Sequence, residues 1–342
     1  MASAEQLQRV AQEQLTLAEP PSKKPESENG SSKPAATVSL MNRVGGFSWE
    51  VLDSAKTTNA STQRIDCLVV TTKAHHTTEA LRQVVPRLDH QSVVLLLQNG
   101  MGIYEELQNT FYSSSANGKY NAPFFLQGTT THGCYRSHPF HVVHAGQGGL
   151  WVGTPDIESA QRLDTSPTLN SSVRTLLDQL YTLPLGVRWE STFQLQARLW
   201  KKLAVNACIN PLTAHFDCLN GALLDDVSCT SLIHALCTES SAIIQHHLGL
   251  IWDQKARGQW SSTDELAHID VPLLQSQFTP DALVSQVQLV CQQTASNVSS
   301  MRQDMRAGRS TEINYINGYV VTLATRYNLP CSTHRQILQW FR

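Results

Sequence analysis

The stretch LWKKLAVNACINPLTA (199–214) sets Lys202 among apolar residues and follows it with Asn206 and Asn210 at four-residue intervals. On a helix these three side chains fall on one stripe about 80° wide, while Leu203, Ala204, Val205, Ala207, Cys208 and Ile209 cover the rest. Such a helix is buried nearly all round, and an unpaired buried ammonium is very costly. Lys202 therefore either reaches water along its stem or faces a polar cleft. In the first case the asparagines cap or bridge neighbouring helices. In the second, amides about 6 Å apart hold a ligand with more than one kind of oxygen. In such a cleft a positioned cation can meet negative charge on a ligand oxygen and give up a proton to it. Asparagine amides can bind carboxylates, carbonyls and hydroxyls without adding a competing charge.

Further polar residues point the same way. In ASNVSSMRQDMRAGRSTEINYINGY (295–319), Asn297 and Ser300 lie three apart, which predicts one helical face. Gly308 then ends that helix, and Ser310 or Thr311 caps the next, placing Glu312 in its first turn; a carboxylate there is also a common partner of the helix dipole. Lys73 and Asn99 each follow an apolar strand, and open parallel sheets bind ligands beyond the carboxyl ends of their strands. HPFHVVH (138–144) has a metal-like look, but along a strand His141 and His144 point to opposite faces, so no metal site is expected.

The elements that must position these residues follow from periodicity. IDCLVVTT (65–72) and SVVLLLQN (92–99) are apolar on both faces and separated by a helical pattern near 77–88, the signature of a parallel sheet covered on both sides. A helical IYEELQNTF precedes a third strand, FFLQGTT (124–130). FHVVHAGQGGLWVG (140–153) reads as two short strands about a glycine turn, and GVRWE (186–190) as one more. Beyond about 191 the pattern is helical through 193–216, 228–249, 280–307 and 311–327. The expected architecture is α/β: a Rossmann-like parallel-sheet domain over 1–190, incomplete at its start, then an all-helical domain over 191–342. Residues 4–17 suit a short helix, and 18–38, rich in proline, serine and lysine, a disordered insertion.

Composition excludes several classes. The 342 residues are 41% hydrophobic and 16% charged with a formal net charge of −2, and the basic residues form no stripe for nucleic acid. Uninterrupted apolar runs are far shorter than the ~20 residues of a membrane span. Eight cysteines form no CxxC pair and sit mostly in apolar segments, which predicts free buried thiols and a cytoplasmic protein.

At these residues the sequence resembles the ketopantoate (2-dehydropantoate) reductases. The blocks LVVTTKAHHTTEAL, LLLQNGMGIYEEL, GTTTHG, LWKKLAVNACINPLTAHFDCLNGALL and NVSSMRQDMRAGRSTEINYINGY carry the likeness over most of 65–335. The resemblance implies NADPH-dependent reduction of ketopantoate to pantoate, on the route to pantothenate and coenzyme A. It implies Lys202 as proton donor, and Asn99, Asn206, Asn210, Asn220 and Ser300 on substrate. Lys73, Asn99, Gly133 and Glu312 would line the nicotinamide end of the cofactor. A homodimer stands among the assemblies open to such a chain. One departure is plain: no GxGxxG occurs anywhere, so the first strand, glycine loop, first helix and second strand of the family's fold are expected to be missing, and the last helix to be cut short. Loss of a central strand predicts exposed strand faces and unpaired edges. Two other readings stay open, a reductase-like scaffold that binds a metabolite or partner without turnover, and a related 2-hydroxyacid dehydrogenase.

Overall fold

The computed structural model describes residues 63–112, 122–138, 141–256 and 270–342. The expected helix at 4–17 and insertion at 18–38 lie outside them. Five strands form one sheet: β1 (Cys67–Val70), β2 (Val93–Leu96), β3 (Phe124–Thr130), β6 (Leu150–Gly153) and β7 (Val187–Trp189), in that spatial order. The first three are parallel, with Val93 opposite both Cys67 and Phe124. β6 runs antiparallel to β3, which the expectation of a parallel sheet did not foresee. The chain returns to β6 through a hairpin, β4 (Gly133–His138) and β5 (His141–Gly146), rather than through a crossover helix.

β2 is buried at every position because both faces of the sheet are covered. Val93 and Leu95 join Leu126 and the Leu169, Val173 and Leu176 face of α4 (Pro167–Tyr181), which follows α3 (Ile157–Thr165). Val94 and Leu96 join Phe125, Leu81 of α1 (Ala74–Arg82) and Leu107 of α2 (Ile103–Leu107). β1 departs from the expected two-sided burial. Cys67 and Val69 are exposed, and among the described residues nothing pairs with its outer edge.

The remainder is helical. Ser191 caps α5 (Thr192–His215), accepting the Gln194 N–H at 3.3 Å. α6 (Val227–Ala256) contains 24 residues, Val227–Leu250, long and apolar enough to cross a membrane, a length that interrupting polar residues hide from a search for unbroken runs. Its Ile233, Leu236, Cys237 and Ile243 instead share one core with Trp200 and Leu212 of α5. α7 (Val271–Ser276) leads to α8 (Pro280–Gln293), α9 (Ser300–Arg306), α10 (Asn317–Tyr327) and α11 (Ser332–Gln339). All eight cysteines are free; five are buried, while Cys67 and Cys134 are exposed and Cys218 lies between.

Two helical expectations fail for local reasons. The segment 280–307 is not continuous: the Asn297 carbonyl accepts the Asn220 N–H at 3.2 Å, and Ser299 caps a new helix through the Arg302 N–H at 3.2 Å. Asn297 and Ser300 therefore share no helical face. Likewise Ser310 and Thr311 cap nothing among the described residues; a 3-10 turn, Ile313–Tyr315, precedes α10, and Glu312 stands at its start.

The turn after β2 locks the sheet to the helices. Gly100 and Gly102 hold φ of 82° and 97°, and a Cβ on Gly100 would stand 2.5 Å from the Tyr315 carbonyl oxygen. That oxygen accepts the Met101 N–H at 2.8 Å. Gly100→Ala is expected to cost about 1–3 kcal/mol in backbone strain, measurable as a lower urea midpoint; an unchanged midpoint would refute the close approach.

Candidate active site

Lys202 leaves α5 toward the end of β3. Its Nζ donates to Thr129 Oγ1 at 3.1 Å and to the Thr130 carbonyl at 2.9 Å. An ammonium has three N–H groups, so one remains for a ligand. Burial pulls the Lys202 pKa down to about 8, and the charge of Glu312 partly offsets that pull. Asn206 and Asn210 continue the stripe along α5, and among the described residues neither side-chain amide has a hydrogen-bond partner. Lys202 and Asn206 line a cavity of ≈ 880 Å³ with Thr129, Thr130, Arg198 and Lys201. Lys201 reaches Gln277, and Arg198 pairs with Glu190.

α9 packs across the C-terminal half of α5, where the Thr213 hydroxyl donates to Ser299 Oγ at 2.7 Å; Ser300, the next residue, is exposed. Asn220 precedes a 3-10 turn, Gly221–Leu224; its Nδ2 donates to Thr294 Oγ1 at 2.9 Å, while its Oδ1 is buried without a partner.

A charged cluster joins the sheet to the helices. Lys73 Nζ donates to Asp304 Oδ2 at 2.7 Å and lies 3.5 Å from Glu312 Oε2. Glu312 Oε1 accepts the Ala74 N–H at 3.0 Å, so the carboxylate that was expected in its own helix's first turn caps α1 instead. Arg309 completes the cluster on Asp304 at 3.0 Å. Nearby, His75 Nδ1 and Gln98 Oε1 are buried without a partner.

The structure thus brings together Lys73 and Glu312, sets Glu312 within electrostatic reach of Lys202, and places Asn206 beside Lys202 in one cavity, whose lining includes neither Asn210, Asn220 nor Ser300. Asn99 lies in the turn beyond β2 and Gly133 at the start of β4, three residues past Thr130; among the described residues neither side has a hydrogen bond to the others. His144 meets His132 at 2.9 Å and His141 stacks on His138, different partners as strand alternation predicts. Sequence reasoning missed Thr129, Thr130 and Asp304. The run GTTTHG was visible, but only the fold reveals which oxygens meet Lys202.

Comparison with known proteins identifies the family. Residues 3–156 match the family model described as ketopantoate reductase PanE/ApbA, and residues 194–342 match its C-terminal counterpart. The 2-dehydropantoate 2-reductase of Saccharomyces cerevisiae is 33% identical over 289 residues, covering 81% of this chain and 73% of that protein. That of Salmonella typhimurium is 31% identical over 307 residues, covering 90% and 82%. The solved structure of a probable 2-dehydropantoate 2-reductase from Bacillus subtilis is 25% identical with a TM-score of 0.53, covering 80% of this chain and 75% of that one.

Proposed function

The chain belongs to the ketopantoate reductase family, and from that membership we propose that it reduces the ketone of 2-dehydropantoate to pantoate with NADPH, toward pantothenate and coenzyme A. Lys202 is the proton donor in this reading. Asn99, Asn206, Asn210, Asn220 and Ser300 hold the substrate, and Lys73, Asn99, Gly133 and Glu312 line the nicotinamide end of the cofactor. The observation that carries it is the Lys202 ammonium, held by Thr129 and Thr130 with one N–H left over, at the head of a row of unpartnered amides.

A bound reduced nicotinamide supplies the hydride. As charge grows on the ketone oxygen, Lys202 Nζ donates to it, then releases the proton and remains as a neutral amine. Burial makes that neutral form accessible near physiological pH, while an ordinary exposed lysine would hold its proton too tightly for efficient transfer. The unpartnered His75 Nδ1 and Gln98 Oε1 suit the polar groups of a nicotinamide riboside. No described residue supplies a glycine cradle for the pyrophosphate, and no GxGxxG occurs in the 342 residues. The reading includes a division of the chain near residue 190, a cytoplasmic location in keeping with eight free thiols, and a homodimer as one open assembly.

The test is nicotinamide fluorescence of NADPH with the full chain, before and after ketopantoate is added. Binding followed by consumption of NADPH supports the reading. Consumption with other 2-keto acids but not ketopantoate would make the chain a different hydroxyacid dehydrogenase. A folded chain that does neither overturns the reading for this polypeptide and leaves a scaffold without turnover.

The pH profile gives a second check. Reduction needs protonated Lys202, so kcat/KM is expected to be level at lower pH and to fall tenfold per unit above about 8. Glu312→Gln removes the charge that raises Lys202, so the bend moves to lower pH. A bend that stays in place or moves up would separate Glu312 from the lysine.

A further inference from the structure

On the far side of α5 from Lys202, a second cavity of ≈ 770 Å³ opens between the sheet and the helices. Trp200 lies roughly 160° round the helix from Lys202. The cavity contains none of the residues assigned above to substrate or cofactor. Its volume falls within the about 300–1,000 Å³ of small-molecule sites, which favour such junctions.

The wall is aromatic and acidic. Tyr104, Tyr319 and Tyr327, each half-buried, line it, and the buried Trp200 backs the wall with its ring centroid 5.9 Å from that of Tyr319. Three carboxylates, Glu105, Asp156 and Glu158, stand against one guanidinium, Arg326. His247 adds no charge at neutral pH, since burial, then Arg326 and His246, lower its pKa; its Nδ1 lies 2.7 Å from the Tyr327 hydroxyl. Asp156 is committed elsewhere, accepting the Ser159 N–H at 2.7 Å and the Tyr104 hydroxyl at 2.8 Å. Glu105 is less well satisfied. The residue is exposed at the cavity wall; its side-chain donor among the described residues is the Tyr319 hydroxyl at 3.3 Å, and desolvation by the surrounding protein raises its pKa, with Arg326 acting against that rise.

We propose that this cavity binds a small organic cation, a primary or quaternary ammonium on a short apolar body, with its charge against Glu105 and the aromatic rings. Ring faces carry negative potential and attract such a cation most strongly where water is scarce. The surplus of carboxylates works against an anion, and a cation adds to the single positive charge that Arg326 sets against Glu105. Glu105 lies on α2, which begins just past the Asn99 turn, and Trp200 lies on the helix that carries Lys202. An occupant touching Glu105 and Gln196, on that same helix, therefore bridges the elements behind the candidate active site.

The experiment is calorimetric titration of the full chain with choline and with its neutral isostere 3,3-dimethylbutan-1-ol, at constant ionic strength. Saturable binding of choline about tenfold or more tighter than the isostere is expected. Glu105→Gln, checked for folding by thermal denaturation, should weaken choline at least about tenfold. Lys202→Ala should leave it unchanged. No saturable choline binding, or equal affinity for the isostere, overturns the proposal without recourse to a variant. Undiminished binding by a folded Glu105→Gln chain, or loss in Lys202→Ala, overturns the site.

Discussion

In the proposed reaction, Lys202→Ala is expected to lower kcat for ketopantoate reduction by about 10²–10⁴, the range for removal of a general acid. The substitution deletes the cation that faces the oxygen and the proton it would transfer. It also leaves Thr129 Oγ1 and the Thr130 carbonyl without their donor, but both border a cavity that water can enter. The fold should therefore survive, and KM should change less than kcat because the amides of Asn206 and Asn210 remain. Lys202→Arg distinguishes charge from proton transfer: a guanidinium restores the cation but does not give up its proton near neutral pH. Steady-state kinetics beside a thermal denaturation curve decide the matter. A near-normal kcat in the alanine variant would remove Lys202 from the mechanism.

Trp200→Ala is expected to cost about 3–5 kcal/mol of stability. Trp200 is 1% exposed and belongs to the core that joins α5 to α6 and α10. Its ring lies 5.4 Å from His247 and 5.9 Å from Tyr319, centroid to centroid, so truncation removes contacts from three helices at once. Trp200→Phe keeps a ring in place and should retain most of the stability. Urea unfolding measures both, and a loss below about 1 kcal/mol for alanine would mean that the core closes over the gap. Because Lys202 lies two residues further along, turnover in any folded alanine variant should also fall.

Much of the fold was legible because it depends on local pattern. The apolar runs at 67–70 and 93–96 became parallel strands, and the Lys202, Asn206, Asn210 stripe sits on a real helix. What escaped depends on contacts between distant segments. Glu312 looks like a first-turn acid until Ala74, 238 residues away in sequence, is seen to donate to it. Asp304 looks like one more charge on a helix until Lys73 arrives. The break between α8 and α9 turns on a backbone bond from Asn220 to Asn297, which no period in 280–307 announces. Thr129 and Thr130 read as strand residues, and they are, yet they also hold the lysine.

The glycine turn after β2 has a mechanical consequence. At Gly100 two backbones meet with no side chain between them, and the Met101 N–H fastens the same spot. A contact of this kind has almost no give along its line, because any side chain at residue 100 would wedge the two backbones apart. Asn99 is one residue away, so the spacing between the end of β2 and the turn that carries Glu312 and Tyr315 is set by main chain rather than by side chains. Side-chain changes elsewhere in the cleft can therefore alter its lining without altering that spacing.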